Sequence, residues 1–384
     1  MSEASDPASA TGVESDYETP FGRFNLIRYP ARRKEMLRAW CGADTLLLET
    51  VAESGLGTAF VLTVNDEHGA LSLPLAATAL WTDSALAALA LEANRQRNAS
   101  PPPAIIWSVD LPTAPLPLVV LRVPKHKALL EYQLSRLAPL MPDGARLLAA
   151  GMDKHLPADT RVTIECYIGP TDCLPGRHKA HCFSARRDDR VAAPIEAWTQ
   201  YRCEPLGANL ASLPGVFSRA RLDSGSRLLL EQLEQLRPVQ RLADLACGNG
   251  VLGLAALQRG LARELLFCDE SAMALASARV NLERLAPEMV ASAVFHHGDG
   301  LRDWKGPAAQ LILCNPPFHL QHTVDDYAGR RLLAQAATAL APAGELCLVA
   351  NRHLDYRPAL QPHFSQIREL ARNRKFTVYL ARRR

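Results

Sequence analysis

A strand, a glycine turn and a helix in immediate succession constrain this chain more tightly than any other feature. Leu242 to Ala246 read as a buried strand, Cys247-Gly248-Asn249-Gly250 as the turn, and Val251 through Leu257 as a helix. That order marks the cofactor end of a doubly wound α/β sheet, where a ligand sits outside the carboxyl ends of the strands. Gly248 and Gly250 let the backbone approach a ligand that side chains would block. Continued to Gly253, the loop spells the G-x-G-x-x-G dinucleotide fingerprint, and Asp269 stands where a ribose-binding acid would. The loop alone therefore leaves a nicotinamide enzyme open. Asp244, four residues before Gly248, argues the other way: an acid there repels a pyrophosphate but suits the amino-acid end of S-adenosylmethionine.

About seventy residues downstream, the apolar run Leu311 to Cys314 is followed by Asn315, Pro316, Pro317 and Phe318. An Asn-Pro-Pro-aromatic tetrapeptide after a buried strand suits methylation of a planar amino or amide nitrogen, a poor nucleophile because its lone pair is delocalised. The Asn315 side-chain oxygen and the Pro316 carbonyl would accept the two amino hydrogens and favour a pyramidal nitrogen as the methyl arrives. The prolines restrict the backbone so that both acceptors are fixed beforehand, and Phe318 would stack on the flat target.

Further acids recur at strand ends. Leu265 to Cys268 form a short strand ending in Asp269, which would take both ribose hydroxyls. Ala293 to His297 form another, followed by Gly298-Asp299-Gly300, where Asp299 would accept from the adenine amino group. A single strand-end aspartate is usually a turn or helix cap. Three on successive strands, each followed by a helical stretch, point to a cofactor site. Arg352 and His353 follow the expected fifth strand on the same edge, as phosphate contacts or as a structural ion pair. Pro214 to Ser226 precede the cofactor strand, where Asp223 or Ser226 caps a helix and Phe217 covers ligand or target.

At 384 residues and 48% apolar composition the chain is long enough for two packed domains. A net charge of +3 permits nucleic-acid binding without arguing for it, so any electrostatic footprint must be local, as in Arg23 to Arg38 and Arg372 to Arg384. Nine cysteines without a secretory signal indicate a reducing cytoplasm. Cys166, Cys173, His178, His181 and Cys182 lack paired C-x-x-C arms, so no metal is expected. No apolar stretch approaches the ~20 residues needed to cross a bilayer, and no membrane partner is expected. Residues 1–19 read as a disordered tail.

The remaining amino-terminal half resembles a worn copy of the carboxy-terminal half. Leu46 to Glu49 with Gly55 and Gly57 parallel the cofactor strand and turn, and Asp83-Ser84-Ala85 to Asn94 parallel Glu270-Ser271-Ala272 to Asn281. Leu118 to His126 parallel the strand and tetrapeptide through His319, and Gly144 to Ala150 parallel Gly344 to Ala350. Thr82 replaces Asp269, Arg122 replaces Asn315 and Lys125 replaces the aromatic, so the first copy would keep the fold without the chemistry, with Arg122 and Lys125 free to meet nucleic acid. Boundaries follow: tail 1–19, degenerate domain 20–190 and catalytic domain 191–384, with a charged linker at Ser184 to Arg190.

Taken together, Gly215-Val216-Phe217-Ser218, Leu222-Asp223-x-Gly225, Asp244 to Gly250 and Asn315 to Phe318 resemble the bacterial ribosomal RNA guanine-N2 methyltransferases with two tandem methyltransferase-like domains. The runs His319-x-Gln321-His322 and Asn351 to Tyr356 look most like the large-subunit branch, with the small-subunit branch a close second. The resemblance implies an α/β fold of two Rossmann-like class I methyltransferase domains with seven-stranded, mostly parallel sheets, the first degenerate and used to place RNA. It implies S-adenosylmethionine as donor and a guanine amine of ribosomal RNA, large-subunit favoured, as acceptor. Two domains in one chain make a monomer the simpler expectation, in the cytoplasm that the cysteines indicate. Asp244, Cys247, Gly248, Asn249, Gly250, Asp269, Asp299 and Asn315 would then contact cofactor. Asn315, Pro316, Pro317 and Phe318 would carry the chemistry, and Phe217, Phe318, Arg352 and His353 would meet substrate. Ala246 departs from the pattern, at a loop position often filled by glycine. Rivals are the small-subunit enzyme, a protein glutamine-N5 methyltransferase, a DNA adenine-N6 methyltransferase and a catalytically dead RNA-binding assembly factor.

Overall fold

Short runs of leucine and β-branched residues closed by polar or glycine turns set the strands of this chain, and alanine- and leucine-rich stretches between them set the helices. The computed structural model describes residues 13–32, 35–57, 59–191, 194–317, 319–320, 323–324 and 327–384. It divides into two compact units, Met1–Glu196 and Ala197–Arg384. No helix among the described residues is long and apolar enough to cross a membrane.

The first unit opens with a hairpin, β1 (Asp16–Thr19) and β2 (Gly22–Asn25), followed by α1 (Gly42–Glu53). Then come β3 (Val61–Val64), β4 (Ala79–Thr82), α2 (Ala85–Arg97), β5 (Ala104–Trp107), β6 (Leu118–Arg122) and α3 (Lys127–Leu137). β7 (Arg146–Met152), α4 (Thr160–Tyr167), β8 (Thr171–Cys173) and β9 (Ala180–Arg186) complete it. The sheet order is β5-β4-β3-β6-β7-β9-β8, and only β9 pairs antiparallel with its neighbours. β3 and β4 are buried at every position, as expected of parallel strands covered on both faces.

The second unit repeats the plan. A hairpin, β10 (Thr199–Cys203) and β11 (Ala208–Ser212), precedes α5 (Ser224–Leu230), β12 (Val239–Leu245), α6 (Val251–Gln258), β13 (Ala262–Asp269) and α7 (Ala272–Leu285). β14 (Val294–His297), β15 (Ala309–Cys314), the short pair β16 (His319–Leu320) and β17 (Thr323–Val324), and α8 (Tyr327–Ala339) follow. β18 (Leu340–Asn351), α9 (Arg357–Leu360), β19 (Phe364–Arg372) and β20 (Phe376–Arg383) end it. The sheet order is β14-β13-β12-β15-β18-β20-β19, with only β20 antiparallel to its neighbours. Alternate residues of its strands feed two cores. Leu242, Leu311 and Leu313 pack with Leu254 and Leu282 of α6 and α7. Ala243, Leu245, Ile312 and Cys314 pack with Leu332, Leu333 and Ala336 of α8. The chain reverses its direction across the sheet between β12 and β15, which makes their carboxyl ends the switch point where such sheets bind ligands.

The internal repeat is real and more extensive than the sequence suggested. Val64 pairs with Trp81 as Leu245 pairs with Cys268, which sets Thr82 in register with Asp269. Ser84 and Ser271 cap α2 and α7 through their hydroxyls. Fully buried Asn281 accepts from the Ala211 amide at 2.8 Å and donates to the carbonyls of Ala211 at 2.8 Å and Asn249 at 3.0 Å. Fully buried Asn94 does the same with Ile27 and His68, at 2.8–2.9 Å. One asparagine in each unit thus clamps the hairpin to the loop after the central strand.

Three expectations change. Leu46 to Glu49 lie in α1, not in a strand, so Gly55 and Gly57 do not mirror the glycine turn, and the counterpart of β12 is β3. An unbroken apolar run does not distinguish strand from helix, and the Asp44 carboxylate, which accepts from the Cys41 amide at 2.8 Å, starts the helix there. Residues 16–19, assigned to the tail, form β1, anchored by buried Tyr17 stacked on Trp40 at 4.6 Å. Ser184 to Arg186, read as linker, belong to β9.

Candidate active site

β12 ends at Leu245, and the loop that follows turns through three left-handed residues, Ala246 (φ 59°), Gly248 (φ 53°) and Gly250 (φ 83°). A Cβ on Gly250 would stand 3.0 Å from the Ala278 Cβ, whereas one on Gly248 would meet nothing within 4 Å. Gly250 is therefore demanded by packing. Gly248 instead faces open space at the switch point. Ala246 carries the left-handed strain that glycine would relieve.

Two carboxylates hold this loop. The Asp269 Oδ2 accepts from the Gly248 amide at 2.9 Å and its Oδ1 from the Ser271 amide at 3.0 Å. Asp244 is fully buried in β12, with Oδ2 accepting from the Gly253 amide at 2.8 Å. Its Oδ1 is buried with no hydrogen-bond partner. Burial, with the nearby charge of Asp269 adding to it and the Gly253 amide opposing it, pushes the Asp244 carboxyl up to about 8. A buried acceptor left unpaired costs about 1–3 kcal/mol. An orphaned carboxylate oxygen beside an open glycine cradle fits a cationic amino-acid end.

On the other side of the switch point, Asn315 follows β15, whose register with β12 sets Cys314 beside Leu245. The Asn315 Nδ2 donates to Asp223 Oδ2 at 3.1 Å and to Ser226 Oγ at 2.9 Å, while its Oδ1 is buried without a partner. Pro316 is buried and Pro317 exposed. Phe318, Gln321 and His322 lie outside the described residues. Asp223 also accepts from the Ser226 amide at 2.9 Å and so caps α5. Phe217 is 67% exposed, free to cover a ligand rather than bound into the core. Arg352 and His353 are exposed on the carboxyl edge after β18, where the Arg352 amide bonds the Lys375 carbonyl at 2.8 Å.

Other expected contacts have partners within the fold. Asp299 is buried with its carboxylate hydrogen-bonded to Arg331 of α8 and 3.7 Å from Arg302, which ties the loop after β14 to α8. The Cys247 side chain packs into the core beside Leu252. Asn249 turns its amide to Tyr201 Oη at 3.3 Å and Ser212 Oγ at 3.2 Å, tying the loop to β10 and β11. Asp223 and Ser226 looked like helix caps alone in the sequence. Their second contact, with a residue 92 and 89 positions away, has no local signature.

The first unit closes the same place. Thr63 stands at the Asp244 position and shares a 2.7 Å hydroxyl bond with Ser72, which stands at that of Gly253. Buried Asp66, two residues past β3, accepts amides from His68 to Ser72 at 2.8–3.4 Å. Those amides are filled from within. Arg122, expected to reach nucleic acid, is instead paired with Asp44. Among the described residues no group of three or more metal-ligating side chains comes together.

Comparison with known proteins settles the family. A profile described as "RLMG N-terminal domain" matches residues 14–189, and one described as "Methyltransferase small domain" matches 207–380. Ribosomal RNA large subunit methyltransferase G of Alcanivorax borkumensis is 42% identical over 94% of this chain and 96% of its own length. The chain belongs to the ribosomal RNA large subunit methyltransferase G family. The member of the same name from Pseudomonas aeruginosa is 39% identical over 95% of this chain and 99% of its own. A Thermus thermophilus 16S rRNA N2 guanine methyltransferase, solved with AdoMet and guanosine, shares the fold, with a TM-score of 0.78 over 98% of this chain and 99% of its own at 23% identity. Like other members, this chain is an S-adenosylmethionine-dependent methyltransferase built from two tandem α/β domains.

Proposed function

We propose that this protein transfers a methyl group from S-adenosylmethionine to the exocyclic N2 of a guanine in large-subunit ribosomal RNA. The observation that carries the reading is the unpartnered, buried Oδ1 of Asn315, on the strand end next to the one that carries the open cradle at Gly248. Family membership supplies the RNA class.

The cofactor, when bound, supplies an electrophilic methyl on a sulfonium. Asp244 would hold its ammonium through the orphaned Oδ1, Gly248 and Gly250 would carry the loop against it, and Asp269 would take the ribose hydroxyls while keeping Gly248 in place. The guanine must leave its stack, at a few kcal/mol, to reach Asn315. There the Asn315 Oδ1 and the Pro316 carbonyl accept the two amino hydrogens, which draws the nitrogen lone pair out of conjugation and aims it at the methyl. Transfer would exchange the methyl–sulfur bond for a methyl–nitrogen bond, leaving a neutral thioether, and the nitrogen, acidic once alkylated, would release its proton to water. No strong base is required. Phe318 is assigned to stack on the base and Phe217 to cover the ligand, with Arg352 and His353 on flanking phosphate. The first domain, its own cleft filled, is assigned to place RNA, and the chain to act as a monomer in the cytoplasm.

Radiolabelled methyl transfer to deproteinised large-subunit RNA, small-subunit RNA and assembled subunits, with nucleoside analysis, tests this. N2-methylguanosine in large-subunit RNA is expected. Label confined to small-subunit RNA, or absent from all RNA, overturns it. Asn315→Ala should lower turnover by at least ~10²-fold with cofactor affinity within about threefold, on the scale of losing one preorganised hydrogen-bonding group.

A further inference from the structure

We infer that Asp223 and Ser226 are positioning residues that dictate which way round the Asn315 amide faces, and so make its oxygen, not its nitrogen, the group offered to the target base; this rests on the proposed function above. A primary amide is nearly symmetric in shape, and its two ends have opposite polarity. With the oxygen toward the base, Asn315 accepts from an amino group. With the nitrogen toward it, the same residue offers hydrogens to hydrogens and the reaction stops. Something must select the first arrangement, because the tetrapeptide's backbone does not: rotation about the terminal bond of the side chain is two-fold and soft.

The selection comes from the far side. The Asn315 Nδ2 has two hydrogens, and each finds an acceptor, Asp223 Oδ2 at 3.1 Å and Ser226 Oγ at 2.9 Å. An ionised carboxylate only accepts, so a flipped amide would set two oxygens against each other. Neither hydrogen remains for the pocket, and Oδ1, buried without a partner, is the end left over. The surroundings guard the arrangement. A Cβ on Gly225 would lie 3.0 Å from Asp223 Oδ2 and 3.3 Å from the Phe376 ring, so a larger residue there crowds the carboxylate.

The first domain shows the same junction with its polarity changed. There the residue after the equivalent strand run is Arg122, and it pairs with Asp44, the third residue of α1 as Ser226 is the third of α5. The contact between strand end and helix start is common to both domains. Only in the second does it leave a buried acceptor without a partner.

Asp223→Ser is the decisive variant: the Asp223 Oδ2 both accepts from the Ser226 amide and faces the Asn315 amide, and serine caps helices as well as aspartate does while its hydroxyl, which donates as well as accepts, no longer opposes a flipped Asn315. The expected result is a fall in kcat of ~10-fold or more on RNA, with the KM for RNA, cofactor affinity and melting temperature within about twofold or a degree of wild type. Ser226→Ala should lose less, and Ser226→Thr, which restores the hydroxyl, should recover it. In an Asn315→Ala background Asp223→Ser should have no further effect. Wild-type kcat in Asp223→Ser, or an undiminished effect of it in that background, overturns the inference and leaves Asp223 a helix cap. Loss of cofactor affinity overturns it too, by assigning Asp223 to the cofactor. The side-chain amide resonances of Asn315, identified by their absence in Asn315→Ala, give a reading without turnover: slowed hydrogen exchange in wild type and faster exchange in Asp223→Ser. Unchanged exchange counts against the inference even if the RNA substrate were misassigned, whereas a wild-type protein that methylates no RNA defeats the proposed function alone.

Discussion

Cofactor binding should expel a proton, and the amount follows from Asp244. Its carboxyl is fully buried, keeps one oxygen unpaired, and is pushed up to about 8 by burial, with Asp269 adding to the effect. At pH 7 such a group is about 90% protonated, and at pH 6 about 99%. Docking an ammonium against Oδ1 favours the ionised form, so the proton leaves as the cofactor arrives. At pH 6.5 the expected release is ~0.9 proton, after allowing for ~0.05 taken up by an α-amino group with an ordinary pKa of about 7.8. Affinity should rise ~20-fold from pH 6 to pH 8, the ~50-fold from Asp244 being reduced by the amino group's own deprotonation. Calorimetry in two buffers of different ionisation enthalpy reads the proton directly as the slope of apparent heat against buffer heat. The sign in the free protein is opposite. A carboxyl raised above its unfolded value contributes stability that is complete below about pH 4 and is lost as pH climbs through about 8. The gain in melting temperature from saturating cofactor should therefore widen from pH 6 to pH 8. Absence of buffer dependence, or its persistence in Asp244→Asn, would refute the placement of the ammonium at Asp244.

Other outcomes follow from the same contacts. Asp269→Ala should weaken cofactor binding at least ~10-fold and lower stability by about 1–2 kcal/mol through the freed amides of Gly248 and Ser271; an unchanged dissociation constant would dismiss its ribose role. Asn281→Ala and Asn94→Ala should each cost about 3 kcal/mol in urea unfolding, since each removes three buried hydrogen bonds, and a loss under about 1 kcal/mol in either would show that the clamp matters little. Replacing Arg352 and His353 together by alanine should weaken RNA binding uniformly and reduce its salt slope by about 1–2 with cofactor affinity unchanged; an unaltered slope would remove them from the RNA path.

How far the sequence could be read depended on how local each signal was. The turn Cys247 to Gly250 and the strand ends at Asp244 and Asp269 declare themselves within a few residues, because a glycine turn between a strand and a helix has few uses. Asn94 and Asn281 were aligned from the repeat, but their buried clamps join partners 67 and 70 residues away and so left no pattern. Leu46 to Glu49 misled because three consecutive leucines suit either period, and only the cap at Cys41 and Asp44 decides for helix. Asp299 and Arg122 were judged by position alone, while their actual partners, Arg331 and Asp44, come from distant elements. Charge positions are legible in a sequence; charge neutralisation is a property of the fold.

The loop after β3 carries a wider consequence. By seating Asp66 on the amides of His68 to Ser72, the amino-terminal half ties that loop with a carboxylate of its own. In its sister half the Asp244 Oδ1 is buried without a partner. If the first loop takes no methyl donor, depletion of the donor should alter the stability of the carboxy-terminal half alone. Restoring glycines to the first loop would not by itself open it, since the carboxylate that ties it is built into the chain.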